Sequence, residues 1–350
     1  MIKIYCTIAL LALPFSAISS QAVSLPGIPE FIDEMVAKHH FKRDELKKVF
    51  SRAQHLPNVI EAISRPETSR PWPDYRSNFV NPERIRLGLK YWNKFHQTLH
   101  RAEKKYGVPQ EIILAVIGVE TVYGQHPGSF RTLDALTTLA FDYPRRAEFF
   151  RSELENYLLL AREQELDLLA TRGSYAGALG IPQFMPSSYR NFAVDFNGNK
   201  KIDLMREAKD AIGSVANYLK AYGWDSSKPV FGIPLASATA NDPVSHEESS
   251  LTHPVAVKVL VNDTSGIGDT ATTRPLVAWL AAGVVLPDFN VPKDEASRLI
   301  DFTVADGKEY WLVFNNFEVI TRYNNSDYYA MSVFHLAEAL KEARKISLAK

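Results

Sequence analysis

Apolar side chains recur at three-and-four spacing through most of the chain before Pro229, the period of helices that each bury one face. "IPEFIDEMVAKHH" and "RDELKKVFSRAQ" carry that pattern on a charged background and predict two amphipathic helices. The stretch "SRPETSRPWPDYRS" interrupts it. Its prolines lack an amide donor and disfavour helix in the residue before each, which predicts an extended segment laid on a surface. "PERIRLGLKYWNKFHQTLHRAEKKYG" predicts a helix closed by basic residues and Gly107. In "VPQEIILAVIGVETVYG", Pro109 and Glu111 open a helix that the pattern closes at Gly124, and its nearly unbroken apolar run predicts a central position. "TLDALTTLAFDYPRRAEFFRSELENYLLLAREQELD" predicts two helices broken near Pro144, and "DAIGSVANYLKAYGW" a further one beyond the loops "TRGSYAGALGIPQFMPSSY" and "DFNGNKKID".

From about Pro229 to Asn316 the period shortens. Runs such as "VAVKVLV" and "YWLVF" stand between clusters of Ser, Thr, Asn and Pro, which predicts a smaller β subdomain. "SDYYAMSVFHLAEALKEARK" then returns to helix. The expected fold is mainly α (α+β), with a helical body over residues 23–228, an inserted β subdomain over 229–316 and a C-terminal return to the body over 317–350. No internal repeat is present.

Composition changes this picture little. The 350 residues are 46% hydrophobic and 23% charged with a formal charge of zero, enough for a sizeable core and no support for nucleic-acid binding. The opening "MIKIYCTIALLALPFSAISSQAVS" has Lys3, a short apolar stretch and a small-residue site at Ser20-Gln21-Ala22, the pattern of a signal peptide cut near Ala22. Cys6 lies too early for a lipid anchor. It is the only cysteine, so the exported chain is expected to use neither disulfides, nor cysteine-bound zinc, nor a thiol nucleophile. A periplasmic location follows, and no stretch is expected to span a membrane.

Glu120 stands near the end of "ILAVIGVETVYG", beside Val116 and Ile117 on its helix face. Burial raises a carboxyl's pKa, as a general acid near neutral pH requires. The alternative is a helix-end carboxylate that reaches solvent or a partner such as Arg145, and the pattern alone leaves both open. In "RGSYAGALGIPQFMPSSY", Gly173, Gly177 and Gly180 allow close backbone approach either to a ligand or to another helix, while Ser174 and Gln183 add neutral hydrogen-bonding groups suited to a sugar. "DFNGNKKID" places Asp195, Asn197, Asn199 and Asp203 at the ligand spacing that opens an EF-hand calcium loop. Lys200 replaces the turn glycine there and Arg206 the closing Glu, so an ion-free Asn-Gly turn is the competing reading. The histidines show no HExxH spacing, and no catalytic metal is expected.

"GVETVYG", "TLDALTTLAFDYPRRAEFF", "GSYAGALGIPQFMPSSY", "DAIGSVANYLKAYGW" and "ITRYNNSDYYAMSVFHLA" occur in this order between roughly Tyr75 and Leu336. Together they resemble the membrane-bound lytic transglycosylase B family of bacterial murein enzymes. The resemblance implies a lysozyme-like core with a helical subdomain and a small inserted β subdomain. It also implies cleavage of the β-1,4 bond between N-acetylmuramic acid and N-acetylglucosamine in peptidoglycan, leaving a 1,6-anhydromuramoyl end. The Glu of the "GVET" motif, the sole catalytic acid of that family, is Glu120 here. Asp134, Asp142, Glu148 and Glu153 lie in polar or helix-surface settings and none is expected to be a second catalytic carboxylate. The substrate's own acetamido group would substitute for one.

The same resemblance places Ser174 and Gln183 beside the acid, on the sugar and its acetamido group. It puts Tyr218, Tyr323, Asn324 and Tyr329 along the glycan groove, with Tyr75 as a further position. Arg145 and Arg146 match a basic pair suited to the carboxylates of muramoyl peptides. For calcium the implied ligands are Asp195, Asn197, Asn199, the carbonyl of Lys201 and Asp210, in a structural role, and the chemistry is expected to need no cofactor. The expected partner is the peptidoglycan glycan strand. A hydrolytic muramidase and a non-catalytic peptidoglycan-binding protein are the alternative functions.

Overall fold

Proline placement and apolar spacing convert into helices over most of residues 25–65, 71–228, 256–261, 270, 272–286 and 291–349, the residues that the computed structural model describes. The signal peptide expected before Val23 lies outside them. Helices α1 (Ile28–His39) and α2 (Arg43–Phe50) form one unit, ending at Gln54, with Phe31 edge-on to Phe50 at 5.9 Å.

The second unit, from His55, holds all the remaining elements. Its helices are α3 (Pro57–Ser64), α4 (Trp72–Phe79), α5 (Pro82–Tyr106), α6 (Gln110–Thr121), α7 (Thr132–Asp142), α8 (Ala147–Glu163), α9 (Pro186–Phe192), α10 (Ala208–Ala221), α11 (Leu276–Ala281), α12 (Asn315–Thr321) and α13 (Asp327–Leu348). A 3₁₀ turn at Pro144–Arg146 makes the expected break between α7 and α8. Helix α6 is the hub. Residues Ile112 to Ile117 have no exposed surface, and α5, α10 and α13 pack around them. The α6–α13 pair is antiparallel, with Lys341 Nζ of α13 3.7 Å from Glu111 near the start of α6.

The two short strands β1 (Phe130–Arg131) and β2 (Arg172–Gly173) pair antiparallel. The other five strands form one sheet in the order β4-β6-β7-β3-β5: β3 (Ala256–Val261), β4 (Arg274–Pro275), β5 (Val284–Val285), β6 (Ala296–Val304) and β7 (Gly307–Val313). All its pairings are antiparallel, with Trp311 opposite Ile300 on one side and Lys258 on the other. Leu276 and Trp279 of α11 close a small core against Val259, Leu299 and Leu312.

The fold departs from the sequence pattern in three ways. Residues Trp72 to Ser77, expected to be extended, belong to the helix α4, because Pro73 falls in the first turn, where no amide donor is needed. Helix α6 ends at Thr121, short of Gly124, because Val122 already turns left-handed. The short helices α3, α9, α11 and α12 have no counterpart among the elements that the pattern predicts, α9 beginning within the expected loop and α11 lying within the expected β subdomain. Where α4 meets the sheet, Trp72 is 2% exposed, stacks on Phe302 at 4.5 Å and donates from Nε1 to Glu309 at 3.0 Å. Trp72→Ala removes that packing and strands the Glu309 contact, so urea unfolding should show a loss of roughly 3–5 kcal/mol. A loss under about 1 kcal/mol would contradict this anchoring role.

Candidate active site

Helix α6 carries Glu120 one residue before its end, and three devices hold that end. Thr121, fully buried, donates from Oγ1 to the Ile181 carbonyl at 2.7 Å and accepts the Gly124 amide at 2.9 Å. The guanidinium of Arg84 donates to the Gly118 carbonyl, placing a cation at the negative end of the helix. Val122, Tyr123 and Gly124 then run left-handed, with φ of 51, 61 and 87°. Glycine adopts that conformation freely, but each non-glycine residue costs roughly 1–2 kcal/mol there, and a β-branched valine is the most unusual. Such backbone persists only where its surroundings over-determine it.

The Glu120 carboxyl meets α13 at this point. Tyr329 donates its hydroxyl to Glu120 Oε1 at 2.6 Å. The start of α13 is itself fixed, since Ser326 caps the Tyr329 amide at 3.3 Å and Arg298 of β6 forks Asp327 at 2.9 and 2.6 Å while reaching Glu318 of α12 at 2.8 Å. Glu120 keeps some solvent-accessible surface, yet protein surrounds its carboxyl closely enough that burial raises its pKa to about 7. The Tyr329 bond, which favours the charged form, opposes that shift without cancelling it. Burial and the charge of Glu120 hold the Tyr323 and Tyr329 hydroxyls well above the usual phenol range, so both remain donors.

An aromatic wall extends from this pair. Tyr323 stacks on Tyr329 at 6.3 Å and 14°, Tyr218 lies 4.8 Å from Tyr323, and Phe184 packs on Tyr218 and Tyr323 at 5.4 and 5.7 Å. The wall's other hydroxyls are tied to backbone, Tyr323 to the Pro182 carbonyl at 2.6 Å and Tyr218 to that of Arg322. Residues 173–184 form a tight loop. Ser174 Oγ accepts the amides of Ala176 and Ala178 at 3.3 and 3.1 Å and keeps its own proton to donate. Gln183 donates from Nε2 to the carbonyls of Pro127 and Gly180 at 3.0 and 2.8 Å, which directs its NH₂ inward and leaves Oε1 as the acceptor still available. The loop glycines serve chain-on-chain packing: a Cβ at Gly177 would fall 2.4 Å from Leu136, and one at Gly180 2.4 Å from the Leu204 carbonyl.

Proteins already characterised resemble this chain over nearly its whole length. A family model described as the transglycosylase SLT domain matches residues 25–338. The chain belongs to that family. It is 40% identical over 329 residues to the membrane-bound lytic murein transglycosylase B of Escherichia coli K12, covering 91% of this chain and 84% of that protein. It resembles the crystal structure of the soluble lytic transglycosylase SltB1 of Pseudomonas aeruginosa with a TM-score of 0.79 at 41% identity, covering 91% of this chain and all of that one. The E. coli lytic transglycosylase Slt35 in complex with calcium matches with a TM-score of 0.77 at 39% identity, covering 92% and 94% of the two chains. The mainly helical fold with its five-stranded sheet is thus that of lysozyme-like lytic transglycosylases.

Within this SLT fold the remaining sequence candidates scatter. Tyr75 is 5% exposed in an aromatic cluster with Trp72 and Tyr328, the residue before Tyr329. Asn324 is exposed in the turn between α12 and α13. Arg145 and Arg146 are exposed in the 3₁₀ turn, with Arg146 lying over Phe149 at 4.2 Å. Tyr329, and not Arg145, is the hydrogen-bond partner of Glu120. Of the four other acids, Asp134 is forked by Arg131 at 2.7 Å, Asp142 meets His55 at 2.7 Å, Glu153 accepts from Ser187 at 2.9 and 2.6 Å, and Glu148 is exposed.

In the loop after α9, Asp195 accepts the amides of Gly198, Asn199 and Lys200, and buried Asp210 accepts those of Phe196, Asn197 and Asp203. These residues fit a cation in part. The charge of Asp195 adds to burial in raising the pKa of Asp210, a strain that a cation would relieve. Against this, no group of three or more His, Cys, Asp or Glu poised to hold a metal occurs among the described residues. Lys200, left-handed at φ 69°, takes the place of the usual glycine.

Thr121, Tyr123 and Arg84 are part of the site's frame, yet the sequence barely marks them. A Thr directly after an acid at a helix end is their one local signal.

Two pH effects follow. Activity that needs the protonated carboxyl should fall as pH rises through about 7, the pKa that burial gives Glu120. Tyr329→Phe removes the bond that favours the ionised form, so Glu120 should hold its proton to higher pH and the alkaline limb of kcat/KM should move upward. A downward or absent shift would contradict this account of the site.

Proposed function

We propose that in this peptidoglycan lytic transglycosylase Glu120 acts first as acid and then as base. The observation that carries the reading is the Glu120 carboxyl, enclosed by protein so that its pKa rises to about 7 and held by Tyr329 at the edge of an aromatic wall. Glu120 would donate its proton to the glycosidic oxygen as the bond from the muramoyl C1 breaks. The 2-acetamido oxygen of that sugar would attack C1 and form an oxazolinium ion, the substrate-assisted route that dispenses with a second carboxylate. The sugar's own 6-hydroxyl would then attack C1, reopening the ring and passing its proton to the Glu120 carboxylate. An intramolecular nucleophile outcompetes water through its effective concentration, which reaches about 10⁵–10⁸ M in well-aligned cases.

Ser174, with its free proton, and Gln183, with Oε1 open, suit the sugar and its acetamido group. Tyr218, Tyr323 and Tyr329 supply aromatic faces for the glycan, with Asn324 at the exposed end of the same segment. Arg145 and Arg146 would meet peptide carboxylates farther out. Tyr75 is proposed as a further aromatic position for the glycan. Peptidoglycan strands are the proposed partner and the periplasm the proposed location, the leader being cut near Ala22. No described helix is long and apolar enough to cross a membrane.

Mass spectrometry of soluble products from sacculi tests the reaction. Muropeptides one water lighter than hydrolysis products, with no reducible muramic end, are expected. Reducible ends would make this a muramidase, and no products under varied pH would favour a binding protein. Glu120→Gln should lose at least roughly 10²-fold in turnover while still binding sacculi.

The loop at 195–210 is proposed as a weak structural calcium site, held by Asp195, Asn197, Asn199, the Lys201 carbonyl and Asp210. Two carboxylates, two neutral amides and two flanking lysines place it in the roughly 10⁻⁴–10⁻³ M affinity class. Millimolar calcium should therefore raise Tm, and Asp210→Asn should abolish the rise. An unchanged Tm at saturating calcium would remove the site.

A further inference from the structure

The left-handed turn behind Glu120 needs something to hold it, and the Tyr123 side chain is placed to do so. Its ring is 9% exposed and lies against Tyr91 at 5.6 Å. Its hydroxyl is buried and meets no hydrogen-bond partner among the described residues. Two glycines make the space for it. A Cβ at Gly88 of α5 would fall 2.4 Å from the Tyr123 hydroxyl, and one at Gly118 of α6 2.7 Å from the same oxygen and 2.8 Å from Cζ. No side chain other than hydrogen fits at either position while the phenol is there. The Tyr123 amide reaches back to the Ile117 carbonyl at 3.3 Å and that of Val122 to Gly118 at 3.2 Å, so the turn folds over the helix end that carries Glu120.

We propose that Tyr123 is a positioning residue: its phenol, wedged in the slot between Gly88 and Gly118, locks the Val122–Gly124 turn and so fixes the Glu120 carboxyl against the Tyr329 hydroxyl. The proposal rests on the reading of Glu120 as the acid. Without the wedge, Val122 relaxes toward ordinary backbone, the end of α6 loosens, and the carboxyl drifts from Tyr329 into water. Misplacement of a reacting group by about an ångström is enough to cost on the order of 10²-fold in rate.

Tyr123→Leu and Tyr123→Phe, assayed on soluble glycan strands with the folded fraction measured by circular dichroism, test this. Tyr123→Leu should lower kcat by roughly ten- to a hundredfold with little change in KM. Its alkaline limb should move to lower pH, because a hydrated carboxyl ionises more readily. Tyr123→Phe keeps the wedge and has no hydrogen bond to lose, so it should restore the limb and most of kcat. Gly88→Ala, which crowds the slot from the α5 side, should shift the limb in the same direction as Tyr123→Leu. A folded Tyr123→Leu enzyme with wild-type kcat and limb would overturn the proposal. So would a loss that tracks the folded fraction with the limb unmoved, or a Tyr123→Phe variant as impaired as the leucine one. Glu120→Gln run in parallel keeps the two readings apart. Turnover surviving there removes the acid assignment and the proposal with it, whereas turnover lost there with Tyr123→Leu unaffected removes the positioning alone.

Discussion

A carboxyl at the end of a helix that has almost no polar face is the constraint on which the rest of the site depends. Helix α6 is enclosed by α5, α10 and α13, and its central residues see no solvent. Placing an acid there costs solvation unless the group stays protonated or finds a donor. Here both conditions are met in part: burial holds the proton to about pH 7, and one short bond from Tyr329 steadies the anion once it forms. A group that gives up a proton and takes one back within a single reaction needs that balance.

The antiparallel α6–α13 pair is what makes the balance rigid. At one end Tyr329 meets Glu120, and at the other Lys341 meets Glu111. Glu338 also sits near that second end, its pKa raised by burial to about 8 with the charge of Glu111 contributing, so this carboxyl adds polarity there with little charge. Between these ends the contact is apolar, with Ala330, Met331, Val333 and Ala337 of α13 buried. The sheet contributes through Arg298, whose fork onto Asp327 sets the first turn of α13 two residues before Tyr329. A strand residue thereby controls where a helix begins, and the start of that helix controls the acid.

Much of this is legible in the amino-acid pattern. The apolar run around Glu120 makes a buried acid one of two readings, the other being a helix-end carboxylate that reaches solvent, and α5, α7, α8, α10 and α13 fall where their periodicity places them. Contacts between residues far apart in the chain carry no such local signal. Tyr329 lies 209 positions from Glu120, and only its place in a family motif connects it to the site. The glycines of the 173–184 loop are ambiguous in sequence because a ligand and a packed helix make the same demand on a backbone. At Gly177 and Gly180 the neighbour is protein. Helix α4 is hidden because proline breaks a helix in its interior but starts one in its first turn. The role of Tyr123 is hidden because its slot is defined by two glycines on different helices, neither distinctive by itself.

Glu120 keeps its proton to near-neutral pH because of where the fold places it. Its carboxyl can be titrated directly by carbon-13 NMR on protein carrying labelled glutamate, the Glu120 resonance being assigned by its absence in Glu120→Gln. A midpoint near 7 is expected. A midpoint at the ordinary carboxylate value of about 4.3 would contradict it, since the group would then be ionised at neutral pH and unable to serve as the acid.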